Sequence, residues 1–305
     1  MKNIFKFKKH TLCLIFFITL NLQGFLIQNS EAAADTACVI NAAGSVAPVN
    51  NGATGFDCWG KPNIQTVTFF KAALCKDTLA APAAITTATP IDLTSCTTVW
   101  ENAAGESVNV SVGLTAPLTG TASIPEPGSY KTLYIEISPT FIYQSLSRFA
   151  TNPMRRGGVN SNGALCWTVA NTVQFSMSAT QAASALASVQ CGAVPDAGTT
   201  TFTFNSFDGA GAEVTLTDIE QPSGRTFRAA LLKTNGTLIA APVNDTIVAG
   251  TKLGAWVANP ITITPDTTDF VVEFSNSAGI GAQLDAADDL VGIDPGAFDI
   301  FITAN

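Results

Sequence analysis

Histidine occurs once in the 305 residues, at His10, inside an N-terminal segment that reads as removable. Beyond it, a Ser-His-Asp or Cys-His nucleophile and a histidine-ligated metal centre are excluded. Neither a GxSxG elbow nor a Ser-x-x-Lys dyad occurs, and no two cysteines have CxxC spacing. Charge is scarce: 12% of residues are charged, against about 25% in ordinary globular chains. Basic residues are the scarcer sign, with 15 Lys and Arg against 23 Asp and Glu. Past that N-terminal segment no basic cluster forms beyond Arg155-Arg156, which argues against nucleic acid and anionic membranes as partners. Thr, Ala, Ser and Asn fill the space, a composition suited to β-strands with uncharged polar surfaces.

What is present begins with an export signature. Lys2, Lys6, Lys8 and Lys9 precede the apolar run "TLCLIFFITL", and "SEAAAD" places Ala32 and Ala34 at the −3 and −1 positions of a small-residue cleavage site. Residues 1–34 are expected to be a signal peptide. Asn21 and Gln23 interrupt the run, leaving it short of the roughly 20 apolar residues a spanning helix needs. The mature chain is expected to carry no membrane span and to be exported, outside the cell or on its surface, with the periplasm as the alternative. Four lysines and Glu31 leave with the signal, so 15 basic and 23 acidic residues become 11 and 22, a net charge of −11.

Six cysteines then remain: Cys38, Cys58, Cys75, Cys96, Cys166 and Cys191. An even number in an exported chain reads as disulfides. Loop-closure entropy favours partners close in sequence, which predicts Cys38–Cys58, Cys75–Cys96 and Cys166–Cys191. The stretch between Cys75 and Cys96 is rich in Thr, Ala and Pro and has no strand character, while "TVTFFKAAL" before it and "TTVW" after it do. A disulfide across its neck makes so long a connection tolerable.

Short strand-like runs separated by turn residues recur along the chain. "SVNVSVGL" alternates Val108, Val110 and Val112 with polar residues, and "KTLYIEIS" aligns Leu133, Ile135 and Ile137. Gly128-Ser129-Tyr130, entering that strand after "PEP", resembles the tyrosine corner of Ig-like sandwiches. "SATQAASALASVQCG" reads as one short Ala-rich helix, with Ala182, Leu186 and Val189 on one face and Gly192 as its stop. "AFDIFITAN" alternates Phe298, Ile300 and Ile302 against Asp299, Phe301 and Thr303, which predicts a half-buried closing strand. All six cysteines precede "VPDAGTT". The expectation is an all-β chain, a β-sandwich of Ig-like or jelly-roll type, with a disulfide-stapled domain over 35–195 and a C-terminal sandwich over 196–305. A single continuous sheet system is the alternative.

Chemistry left open by the absent histidine is carboxylate chemistry, and no spacing singles out a pair from Asp218, Glu220 and the aspartates near residue 290. "QLDAADDLVGID" gathers Asp285, Asp288, Asp289 and Asp294, candidate ligands for calcium, the one cofactor the composition leaves open. Lys71 and Glu136 each interrupt an apolar run. In exported adhesins of the Cna-B and sortase-pilin kind a buried acid assists a Lys–Asn cross-link; the plainer reading puts both on a solvated face. Trp59 and Trp167 follow cysteines and are expected to pack against disulfides, which leaves Trp100 and Trp256 as candidate exposed ligand contacts. The leading expectation is a non-enzymatic appendage subunit, adhesin or envelope component that self-assembles or meets a surface glycan or protein. A carbohydrate-binding module and a carboxylate-based glycoside hydrolase are the alternatives.

Overall fold

The computed structural model describes residues 55–79, 90–110, 118–149, 154–156, 162–163, 165–175, 189–204, 216–220, 225–233, 252–285 and 290–305. The expected signal peptide and Cys38 lie outside them. Every described element is a strand. The first group is β1 (Gly55–Gly60), β2 (Ile64–Cys75), β3 (Cys96–Asn109), β4 (Thr121–Ala122), β5 (Gly128–Gln144) and β6 (Leu146–Arg148). Next come β7 (Met154–Arg156), β8 (Asn162–Gly163), β9 (Leu165–Thr168), β10 (Asn171–Phe175), β11 (Val189–Gly192) and β12 (Thr200–Phe204). The last are β13 (Leu216–Glu220), β14 (Thr226–Leu232), β15 (Lys252–Ile263), β16 (Phe270–Asp285) and β17 (Leu290–Ala304).

The expected helix is corrected where it can be seen. Val189–Gly192 is strand β11, paired antiparallel with β9, and the rest of that segment lies outside the described residues. Its register puts Cys191 opposite Cys166, and the disulfide between them holds the four residues extended.

β5 organises the largest sheet. β2 runs along one edge of β5, while β15 and then β12 occupy the other. β15 pairs with residues 128–137 and β12 with 140–143, so the partner changes at Ser138-Pro139. Proline has no N–H to give a ladder and marks the irregularity where the strand bends between partners. Outward from β5 the order is β15, β14, β13 on one side and β2, β3, β4 on the other. Strands from both sides of residue 195 are therefore hydrogen-bonded neighbours in one sheet. Two smaller sheets, β1-β16-β17-β7-β8 and β11-β9-β6, complete the described structure.

Alternation sorts the side chains of β5 onto two faces. Leu133, Ile135 and Ile137 point into the main core, which also takes Ile300 and Ile302 from β17 and the Cys166–Cys191 pair, so it joins all three sheets. Tyr130 is buried and its hydroxyl donates to the Glu126 carbonyl at 2.9 Å, a bond four residues back that matches the tyrosine corner's geometry. Thr132, Tyr134 and Glu136 point the other way. There Ala73, Tyr134, Leu232 and Trp256 form a second cluster, covered by Leu79 and Ile91 with Leu93 against it.

Those three residues belong to the segment between Cys75 and Cys96. It is not a bare hairpin tip: its two described ends fold back as an apolar cover on the outer sheet face. Asp92 Oδ1 accepts from the Thr94 amide (3.0 Å) and hydroxyl (2.7 Å), and Cys96 N donates to Leu93 O, turning the chain into β3. Those two bonds, backbone before side chain, lower the Asp92 carboxyl's pKa. The Cys75–Cys96 disulfide closes the neck, as expected.

Candidate functional site

Beyond the edge of that cover the outer face turns polar. A bulge at Phe70 sets Lys71 of β2 opposite Glu136 of β5, while Lys71 also faces Glu101 of β3. Gly254 of β15 faces Glu136 from the other side. The two residues singled out as interruptions of apolar runs are thus neighbours in one cross-strand row, Gly254–Glu136–Lys71–Glu101.

Glu136 is the buried member, its side chain 8% exposed. Its carboxylate accepts from Lys252 Nζ at 2.6 Å and from the Tyr134 hydroxyl at 3.1 Å. Lys71 Nζ lies 3.7 Å from the Glu101 carboxylate, and both of those side chains reach solvent. Lys252 also sits 5.2 Å from the centre of the Phe70 ring. Gly254 makes room for this arrangement: a Cβ there would lie 2.7 Å from Leu232 Cδ1 and 3.2 Å from Tyr134 Oη. Burial, and then the negative charge of Glu136, push the Tyr134 phenol far above its ordinary pKa, so it stays a donor.

A second buried acid, Asp299 of β17, faces Arg225 at 3.6 Å. Arg225 donates to the Ile300 carbonyl at 2.7 Å and to the Ala258 carbonyl at 3.3 Å, and stacks 3.9 Å above the Phe301 ring. Burial lowers the guanidinium's pKa, with Asp299 opposing that shift. Asn259, at the irregularity of β15, donates to Ile302 O at 3.1 Å and accepts from Ile302 N at 3.3 Å. Its amide serves β17 as a strand partner would. Around Ile300 and Ile302 β17 is thus paired in cis with β16 on one edge and held by side chains on the other, the edge that β7 pairs at Leu290 and Val291.

The remaining expected residues fall elsewhere. Trp100 and Trp256 are corrected from exposed to buried, at 7% and 4% exposure, in the main core and beneath the disulfide-closed cover respectively. Trp167 is buried over Gly192, and the Trp59 side chain lies outside the described residues. Cys58 is on β1, opposite Ala282, and its pairing with Cys38 lies outside the described residues. Asp285 faces Leu290 and Asp294 faces Gly281, which places these aspartates about 13 Å apart along the β16–β17 ladder. One calcium ion, with ligand oxygens roughly 2.5 Å away, does not bridge that span. Asp288 and Asp289 lie outside the described residues, among which no cluster of metal-ligating side chains occurs. Asp218 and Glu220 are on β13, opposite Arg228 and Thr226.

Chemically, the Glu136 row is a neutralised ladder. Its buried carboxylate has a cation and a hydroxyl on it, and Lys71 meets a carboxylate, not an asparagine amide, so the Lys–Asn cross-link lacks its acceptor at this lysine. Sequence reasoning missed Lys252, Tyr134, Arg225 and Asn259. Lysine at the head of a strand after glycine and threonine carries no signal, whereas Asn259-Pro260 inside a strand pattern does mark an interruption. Comparison of the chain with protein-family models, with curated proteins and with solved structures finds no match.

Proposed function

We propose that the chain is an exported, non-enzymatic β protein of the cell surface or extracellular space, a structural or adhesive component whose sheets pack as a β-sandwich. The observation that carries this reading is the pair of disulfides, Cys75–Cys96 and Cys166–Cys191, each joining residues directly opposite on adjacent strands. Such bonds persist in oxidising compartments, and they accompany an N-terminus of signal-peptide pattern. The two buried carboxylates support a structural role, because Glu136 and Asp299 are each engaged by a cation from a neighbouring element. The carbohydrate reading loses its motive with the burial of Trp100 and Trp256.

Cell fractionation with thiol trapping tests the proposal. The chain is expected outside the cytoplasm, beginning at Asp35 and without a free thiol. A cytoplasmic chain with reduced cysteines refutes it. Electron microscopy of the exported fraction then separates an assembled component from a dispersed one.

A further inference from the structure

We infer that the outer face of the sheet around β5 and β12 is the surface through which this chain associates with a second copy of itself. The inference rests on the reading of the chain as an exported structural component.

Past Pro139 the outer face of the main sheet changes character. One row, Asn109–Thr66–Ile142–Thr201–Thr172, crosses β3, β2, β5, β12 and β10, and none of its residues is buried. The next row holds two hydroxyl ladders. Thr68 and Ser107 share a hydrogen bond at 2.8 Å, and Thr140 and Thr203 share one at 2.9 Å. These cross-strand pairs satisfy each other and hold the surface in a fixed relief.

No position named in these rows carries a charge, in a chain of net charge −8 that becomes more acidic once the expected signal is gone. Exposed aliphatic residues gather at the same end. The large hydrophobics exposed among the described residues are Ile124, Ile142, Leu146 and Val194. Ile142 lies in the first row, and Leu146 begins β6 two residues past the end of β5. Val194 precedes Ala197, whose carbonyl accepts from Gln144 Nε2 at 2.7 Å, so its loop runs along that end. Only Ile124 stands apart, beyond β4 on the far side of the sheet.

Charge selects the occupant. Two copies of an acidic chain repel over most orientations, and the approach that juxtaposes no carboxylates is through an uncharged face. Depletion of charge around an exposed apolar side chain, here Ile142, is also the composition of an interface core. A cationic partner would require acids on this face, and the rows contain none.

The test is sedimentation of the full exported chain against concentration, beside Ile142→Glu, Thr201→Lys and Ile124→Glu. Wild type is expected to gain mass with concentration, with added salt leaving the association unchanged or stronger. A charge at position 142 or 201 is expected to weaken it by about tenfold or more, as burying an unpaired charge does. Ile124→Glu, at the one exposed aliphatic outside the rows, is expected to associate like wild type. Ile142 is 38% exposed, so both disulfides and the melting temperature are expected to survive its substitution, and Thr201→Lys repeats the test on another strand. Wild type that stays monomeric throughout overturns the inference, as does equal association of the 142 and 124 variants. A monomer that binds a neutral polysaccharide through this face also overturns it. Fractionation keeps the two readings apart: an exported monomer refutes the face alone, and a reduced cytoplasmic chain refutes the exported role on which it rests.

Discussion

Replacing Lys252 by methionine withdraws one charge from the outer-face row and leaves most of its volume. The Glu136 side chain is 8% exposed, and its two close donors are Lys252 Nζ at 2.6 Å and the Tyr134 hydroxyl at 3.1 Å. Methionine keeps the aliphatic stem that packs on the sheet but leaves the carboxylate with one neutral donor. Removing one partner of a buried pair costs about 3–5 kcal/mol. Lys252 is 25% exposed, so solvent already screens the pair, and about 2–3 kcal/mol is the expected loss. In a chain of this size that corresponds to a melting temperature lower by roughly 4–12 °C. A triple variant, Tyr134→Phe with Glu136→Leu and Lys252→Met, removes every partner together and is expected within about 1 kcal/mol of wild type, or above it. Thermal and urea unfolding with disulfides intact reads all of these. If Lys252→Met unfolds like wild type, or the triple variant loses as much stability as Lys252→Met alone, the row does not act as described.

Three further outcomes follow from the same geometry. Non-reducing peptide mapping is expected to recover Cys75–Cys96, Cys166–Cys191 and, as the remaining pair, Cys38–Cys58; Cys75→Ser with Cys96→Ser, opening a loop of sequence separation 21, is expected to cost about 3 kcal/mol and expose residues 76–95 to protease. Asn259→Ala leaves both backbone groups of Ile302 unpartnered at that edge and is expected to cost about 2–5 kcal/mol in urea unfolding, while truncation after Gly296, which removes buried Ile300 and Ile302, is expected to abolish folding. Tyr134 has a folded pKa above its unfolded value of 10.0, so its contribution is complete below about pH 10 and is lost as pH rises further; the alkaline fall of the urea midpoint is expected to flatten in Tyr134→Phe.

The sequence by itself determined the elements whose causes are local. Alternation identified β5 at Leu133, Ile135 and Ile137, and it identified the closing strand at Ile300 and Ile302, because successive side chains of a strand point to opposite faces with a period of two. The Cys75–Cys96 and Cys166–Cys191 pairings were readable because short loops close at least entropic cost. The hydrogen bond of Tyr130 spans only four residues, and its motif was visible as well. The tertiary structure alone decided what depends on which strands lie side by side. A period of two says which residues share a face and nothing about the neighbour across the ladder, so Lys71, Glu136 and Lys252 became a cluster only through the β15-β5-β2 order. That order also joins strands from both sides of residue 195, because β5 is long enough to seat two successive partners on one edge. Val189–Gly192, the described end of an Ala-rich run with helical spacing, is extended because pairing with β9 and the bond to Cys166 outweigh a propensity worth only tenths of a kcal/mol per residue. Trp256 read as a candidate exposed contact because, unlike Trp59 and Trp167, it adjoins no cysteine, and it is buried because Leu79, Ile91 and Leu93, distant in sequence, are held over it by a disulfide.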